Sequence, residues 1–392
     1  MSIQSFHPPV RTLLGPGPAE VHPRVLAAMS KPTIGHLDPA FVQMMDELKS
    51  LLQYALMTKN NMTMAVSAPG SAGMEACFTN LIEPGTKVII CENGVFAGRM
   101  RENVERVGGV AILIKDEWGK PIDPNKLKDA LKVHPDTQVV AFVHAETSTG
   151  ALSDAKTLVE IAHEFGALTI VDAVTSAGGC ELRVDEWNID AIYSGSQKCL
   201  SSAAGLSPLS MNPAAIERIS NRKHKVPSWF LDVGLVTAYW HGGKRRSYHH
   251  TAPINNLYGL HEALVMLHQE GLENSWDRHR YHHLALRAGL EAMGLKFLVE
   301  EPYRLPQLNA VLVPEQVDEA IVRQRLLNEY NIEIGAGLGD LSGKIWRIGL
   351  MGYSSNEKNV LFFLTALDEI LASMKAPIFK GMAVDAAARA YA

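Results

Sequence analysis

Between residue 62 and about residue 210 the chain repeats one pattern, in which short apolar runs alternate with stretches of helical spacing. The runs are Met62–Val66, Val88–Cys91, Ala111–Ile114, Val139–Val143, Leu168–Val171 and Ala191–Tyr193. They are too short for helices and rich in Val and Ile, as strands buried on both faces are. Residues 125–133 and 153–165, lying between such runs, read as helices with polar outer faces. Strands alternating with helices predict an α/β fold with a mainly parallel sheet. Ligands of such sheets bind beyond the carboxyl ends of the strands, so residues just after each run are the first candidates for chemistry.

The flanks read differently. Leu13-Leu14-Gly15-Pro16-Gly17-Pro18 is too rich in Gly and Pro for regular structure, which predicts an extended arm over residues 1–20. Asp38-Pro39 then supplies a helix cap and a first-turn proline ahead of Phe41, Met44, Met45, Leu48, Leu51 and Leu52, a helix expected to end near Leu56. Beyond about residue 270, helical spacing covers Trp276–Met293, strands are expected at Asn309–Val313 and Ile345–Ile348, and a long helix follows the capping box Ser354-x-x-Glu357. The Ala-rich end, Val384–Ala392, reads as a frayed helix. The expected organisation is an arm (1–20), a large domain (21–270) and a smaller α+β domain (271–392).

Composition narrows the function. A chain of 392 residues, 47% hydrophobic and 20% charged, can bury a large core, and a net charge of −5 gives no general attraction to nucleic acid or anionic membrane. No apolar run approaches the ~20 residues of a membrane span, and no leader pattern is visible. Cys77, Cys91, Cys180 and Cys199 lack the paired short spacing of zinc or dithiol sites, so a reduced, cytoplasmic setting is expected. The run Arg278-His279-Arg280-Tyr281-His282-His283 looks metal-like, but its helical setting without a nearby acidic ligand favours a solvated face, and no metal is expected.

Three segments follow strands and carry reactive groups. Ser194-Gly195-Ser196-Gln197-Lys198 places a lysine beyond small residues that let backbone approach a ligand, although a solvent-facing lysine fits the same spacing. Strand Leu168–Val171 runs into Asp172, which could pair with a protonated pyridine nitrogen or simply cap a helix. Pro69-Gly70-Ser71-Ala72-Gly73 precedes the helical run Met74–Leu81, an arrangement suited to a phosphate or to a plain tight turn. Phe96 and the polar turn His144–Gly150 fall between the phosphate loop and Asp172, and Arg347 interrupts an apolar strand, as a carboxylate anchor or a structural ion pair would.

In this order the chain resembles the class V, fold-type I pyridoxal-phosphate aminotransferases, and within them the alanine–glyoxylate/serine–pyruvate group. Further matching segments are Leu14–Pro18, His144–Gly150, Tyr248-His249-His250-Thr251, Gly271-Leu272-Glu273-Asn274 and Lys344–Gly349. The resemblance implies a seven-stranded large domain and pyridoxal 5'-phosphate held as a Schiff base on Lys198, which later moves the substrate proton. It implies Asp172 at the pyridine nitrogen, Val174 under the ring, Phe96 stacked on it where relatives often have Trp, and Thr147 at the phenolic oxygen. Gly70, Ser71 and Gln197 would hold the phosphate, with Ser71 standing where some relatives carry His or Arg. Tyr248 and Thr251 would reach the phosphate of a neighbouring subunit, making an obligate homodimer with composite sites, and the arm would cross to the partner. Arg347 would bind the substrate carboxylate, with Gly17 and His36 also on the substrate side. His249-His250 is expected to support structure. The implied reaction moves an amino group from alanine or serine to glyoxylate or pyruvate, with no evident second arginine for a dicarboxylate. Gly35–Phe41, Gly178–Leu182 and Gly343–Gly349 are also similar to the bacterial ureidoglycine–glyoxylate aminotransferases, for which His36 and Asn255-Asn256 would shape donor choice. A cysteine desulfurase on this fold needs a cysteine in the later domain, and none follows Cys199.

Overall fold

The computed structural model describes residues 3–240 and 246–392. Seven strands lie side by side in the order Met62–Val66, Ser207–Met211, Ala191–Tyr193, Leu168–Asp172, Val139–Val143, Lys87–Glu92 and Val110–Lys115. Six run parallel, while Ser207–Met211 is antiparallel to both its neighbours. That strand is hidden from the apolar pattern because Ser207 and Ser210 interrupt it. The core accepts both hydroxyls: Ser207 Oγ donates to the Ser194 carbonyl at 2.6 Å, and Ser210 Oγ pairs with Thr63 Oγ1 at 3.0 Å. Helix Pro39–Leu56 starts where the Asp-Pro pair predicts, with the Asp38 carboxylate accepting the Ala40 N–H at 2.8 Å. Its stripe Phe41, Met45, Leu48 and Leu52 is fully buried, each side chain contributing about 1.5–3 kcal/mol of burial.

A second core forms around the antiparallel strands Leu308–Leu312, Ile345–Gly349 and Gly335–Ala336. Helices Leu272–Ala292, Glu319–Tyr330, Glu357–Ser373 and Ala383–Tyr391 contribute to it. Three details there correct the sequence reading. The helix after Ser354 is capped by Asn356, whose side chain accepts the Asn359 N–H at 2.9 Å; Ser354 sits in a preceding 3-10 turn, and its hydroxyl accepts the Glu20 N–H instead. The Ala-rich end is a packed helix, because the small side chains of Ala383 and Ala387 are fully buried in this core.

The histidine run is no solvated face, since His279, His282 and His283 are all buried. His279 Nδ1 bonds the Ser275 carbonyl at 2.6 Å while Nε2 accepts the Gly352 N–H at 2.9 Å, and His283 Nδ1 meets Asn309 Oδ1 at 2.6 Å. Burial holds their pKa values down to about 3 and about 4, so they are neutral structural links. From Arg11 onward the N-terminal arm packs on its own chain. Thr12–Leu13 pairs in parallel with Ile332–Glu333, Leu14 is fully buried, and the Gly349 N–H donates to the Leu14 carbonyl at 2.7 Å. A Cβ at Gly349 would come within 1.9 Å of the Gly15 carbonyl oxygen, so only glycine permits this approach. Residues 3–10 are exposed.

Candidate active site

The ends of the central strands open on a cavity of about 240 Å³. Asp172 ends its strand, and the parallel register puts it beside Tyr193, the last residue of the next strand. The Tyr193 hydroxyl donates to Asp172 Oδ2 at 2.7 Å and the Val174 N–H to Oδ1 at 2.8 Å. Burial pushes the Asp172 carboxyl up to about 6 against these two bonds. Among the described residues no cationic side chain lies within ion-pair distance of it, so the site offers a buried carboxylate without a counter-ion.

Lys198 follows Tyr193 after a turn pinned by the Ser196 N–H to Leu206 carbonyl bond at 3.1 Å and the Ser202 N–H to Ser196 carbonyl bond at 3.0 Å. Its Nζ donates to the Pro16 carbonyl. Gly17, at φ +97°, lies against the lysine stem, where a Cβ would come within 2.4 Å of Lys198 Cδ. Burial brings the Lys198 amine down to about 8, with the Arg347 and Arg99 charges acting in the same direction.

The helix expected from Met74 begins at Gly70 instead and runs to Leu81, so Gly70 and Ser71 occupy its first turn. Pro69 provides no side-chain cap, which leaves first-turn amides available to an anion. Gln197 Oε1 is buried beside them without a partner. Phe96 enters the cavity from the first turn of helix Val95–Arg106. Arg347 is buried in the strand between Leu308–Leu312 and Gly335–Ala336, with Nε donating to the Ala336 carbonyl at 2.6 Å and Nη1 to the Thr147 carbonyl at 3.1 Å.

Gly70, Ser71, Phe96, Thr147, Asp172, Val174, Gln197 and Lys198 thus line one cavity, with Gly17 and Arg347 bonded or packed to its members. His36, Tyr248 and Thr251 are not brought to it. The His36 ring sits 5.1 Å from that of Tyr248, which is 60% exposed, and Thr251 is exposed too. Between them His249 Nδ1 meets His250 Nδ1 at 2.8 Å, and His250 Nε2 meets Ser67 Oγ at 2.7 Å. Sequence reasoning missed Arg99, which also lines the cavity, with its guanidinium 4.8 Å from the Phe96 ring. Its position three residues after Phe96, one helical turn on, was the available signal. The expectation named no second arginine for a dicarboxylate side chain, and Arg99 stands on the cavity wall as a second arginine.

Pyridoxal phosphate fits these groups: Asp172 could face a ring cation, and the first turn at Gly70 with the orphaned Gln197 amide oxygen could frame the phosphate. Residues 13–357 match the sequence model of the family described as aminotransferase class-V. The chain belongs to this family. Class-V aminotransferases are pyridoxal-phosphate enzymes, and so is this one. The chain is 38% identical to the alanine–glyoxylate aminotransferase of Rattus norvegicus, across 93% of this chain and 88% of that one. The crystal structure of ureidoglycine–glyoxylate aminotransferase from Bacillus subtilis is similar at a TM-score of 0.96 and 40% identity, covering 99% of this aminotransferase and all (100%) of its relative. That of alanine–glyoxylate aminotransferase from Nostoc sp. gives a TM-score of 0.92 at 46% identity, over 95% and 98% of the two chains. Among the described residues no cluster of His, Cys, Asp or Glu could hold a metal, and no helix is long and apolar enough to cross a membrane.

Proposed function

We propose that this aminotransferase moves the amino group of a small amino acid, alanine or serine, to glyoxylate or pyruvate. The observation that carries the reading is a buried lysine amine of lowered pKa in a small cavity whose Thr147 wall is bonded from behind by the buried Arg347 guanidinium. Bound pyridoxal phosphate supplies the electron sink that lets an amino acid lose its α-proton. Lys198 Nζ, the covalent attachment point, takes that proton once freed and returns it, and its lowered pKa keeps neutral amine available near pH 7–8. Asp172 keeps the ring nitrogen protonated. Phe96 and Val174 would enclose the ring, Thr147 would meet its phenolic oxygen, and Gly70, Ser71 and Gln197 would bind the phosphate. Arg347 receives the substrate carboxylate: its Nε and Nη1 are fixed by backbone carbonyls, and Nη2 has no partner among the described residues.

The full-length likeness to the Bacillus subtilis ureidoglycine–glyoxylate enzyme favours a second reading, with ureidoglycine as donor and His36 in donor choice. A matrix of alanine, serine, ureidoglycine, aspartate and glutamate against glyoxylate and pyruvate separates the two. We expect a small donor with glyoxylate to give glycine fastest. Rapid turnover of glutamate with none of alanine, serine or ureidoglycine would overturn both readings and direct attention to Arg99.

The exposed Tyr248 and Thr251, lying outside their own chain's cavity, support a homodimer in which they reach the partner's phosphate site. Dilution to monomer is then expected to strip the cofactor, and a monomer that retains it and full activity would contradict the composite site. Four buried, unpaired cysteines suit a reducing, cytoplasmic setting.

A further inference from the structure

Glu146 has no part in the roles above, yet it is fully buried beside the cavity, at the end of the short strand Ala145–Glu146. Its Oε1 accepts the Ser148 N–H at 2.9 Å and the Ser148 hydroxyl at 2.6 Å, while Oε2 has no partner. Ser148 Oγ in turn accepts the Val95 N–H at 3.0 Å, the first residue of the helix that carries Phe96 and Arg99. Thr147, between Glu146 and Ser148, gives its carbonyl to Arg347. One carboxyl therefore ties together the turn behind Arg347 and the start of the Phe96 helix. The fit is close, since a Cβ at Gly94 would come within 2.5 Å of the Glu146 carboxyl carbon.

The charged and titratable groups that face Glu146 come from three other strands: Arg347 attracts it, Asp172 repels it, and the Tyr193 phenol feels its charge. Burial pushes its carboxyl up to about 7, with the Ser148 bonds opposing and Asp172 adding. Neutral and charged forms are then both populated near physiological pH. A neutral amide could make the same turn, but only a carboxyl can change charge there.

We propose that Glu146 is the positioning residue of the carboxylate anchor: it braces the Thr147–Ser148 turn against Arg347, and it takes up a solvent proton when a substrate carboxylate docks there. This rests on the reading of Arg347 as that anchor. A docked carboxylate screens the Arg347 charge that acts across to Glu146 and adds a like charge in a buried site, and both favour the protonated acid. The free carboxyl titrates near 7 and the bound one higher, so uptake occurs above about pH 7. By linkage, carboxylate affinity falls as pH rises through that window, by up to tenfold per pH unit at the steepest.

The test is calorimetric titration of the holoenzyme with propionate, the deaminated analogue of alanine, in two buffers of different ionisation enthalpy near pH 8. Wild type is expected to take up several tenths of a proton more per bound propionate than Glu146→Gln, whose affinity stays flat with pH. Ser148→Ala, which removes a donor favouring the charged carboxyl, is expected to move maximal uptake to higher pH. It also serves should the Gln variant fail to fold. Equal proton counts in wild type and Glu146→Gln, or an unmoved maximum in Ser148→Ala, would overturn the inference, even with a lowered Tm, because a merely structural brace predicts that result. Arg347→Ala separates the two layers. It is expected to weaken propionate at least tenfold, and unchanged binding would sink the anchor reading itself.

Discussion

Replacing Lys198 with alanine is expected to lower the transamination rate on the order of 10⁴-fold, the upper end of what a positioned proton-transfer group supplies. Two losses coincide in this variant. The amine that moves the substrate proton is gone, and so is the covalent attachment, so borohydride treatment should no longer fix the cofactor to the chain. The fold should survive. Lys198 is a buried amine whose pKa is depressed to about 8, so charging it below that pH costs stability that alanine does not pay. An unchanged or higher Tm of the cofactor-free variant at pH 7, with single-turnover activity near background, is the expected pair of results. A variant within tenfold of wild type would remove Lys198 from the chemistry. Small amines added in solution should restore part of the rate, because the cavity vacated by the side chain can admit them.

The fold was legible wherever one residue type at one period decides the outcome. Six strands of the large sheet follow from Val- and Ile-rich runs, and helix Pro39–Leu56 from its Asp-Pro start and its stripe. What stayed hidden depends on partners distant in sequence. Ser207–Met211 is a strand because Ser194 and Thr63 satisfy its hydroxyls, and His279 and His283 are buried because Gly352 and Asn309 bond them. Ser354 has the sequence of a cap, but the N–H of Glu20 claims its hydroxyl, and the cap passes to Asn356. The same division runs through the candidate site. Lys198, Asp172 and the Gly70 turn are visible because each follows an apolar run. Tyr193 reaches Asp172 only through strand register, and Glu146 acquires its importance from Val95 and Arg347, which lie 51 residues before and 201 residues after it (146 − 95 and 347 − 146).

Asp172→Asn is expected to reduce kcat/KM by roughly 10²- to 10⁴-fold, since removing one member of a buried charge pair costs about 3–5 kcal/mol. Asparagine keeps the shape and the network: its oxygen can accept the Val174 N–H, and its amide can donate to the Tyr193 hydroxyl. What disappears is the negative charge opposite the ring nitrogen. Without cofactor that charge is a burden, because Asp172 titrates at about 6 in the folded chain, above the ordinary carboxylate value. The folded state holds the proton more tightly than the unfolded state. Its contribution to stability is therefore complete below about pH 4 and is lost as pH rises through 6, by about 2–3 kcal/mol for a shift of this size. Cofactor-free Asp172→Asn should accordingly lose less Tm than cofactor-free wild type between pH 4 and pH 7. Loading the cofactor should reverse the order, because only the carboxylate gains a cationic partner. A thermal series in which Asn is favoured without cofactor and disfavoured with it separates an electrostatic role for Asp172 from a helix-capping one, which would destabilise both forms alike.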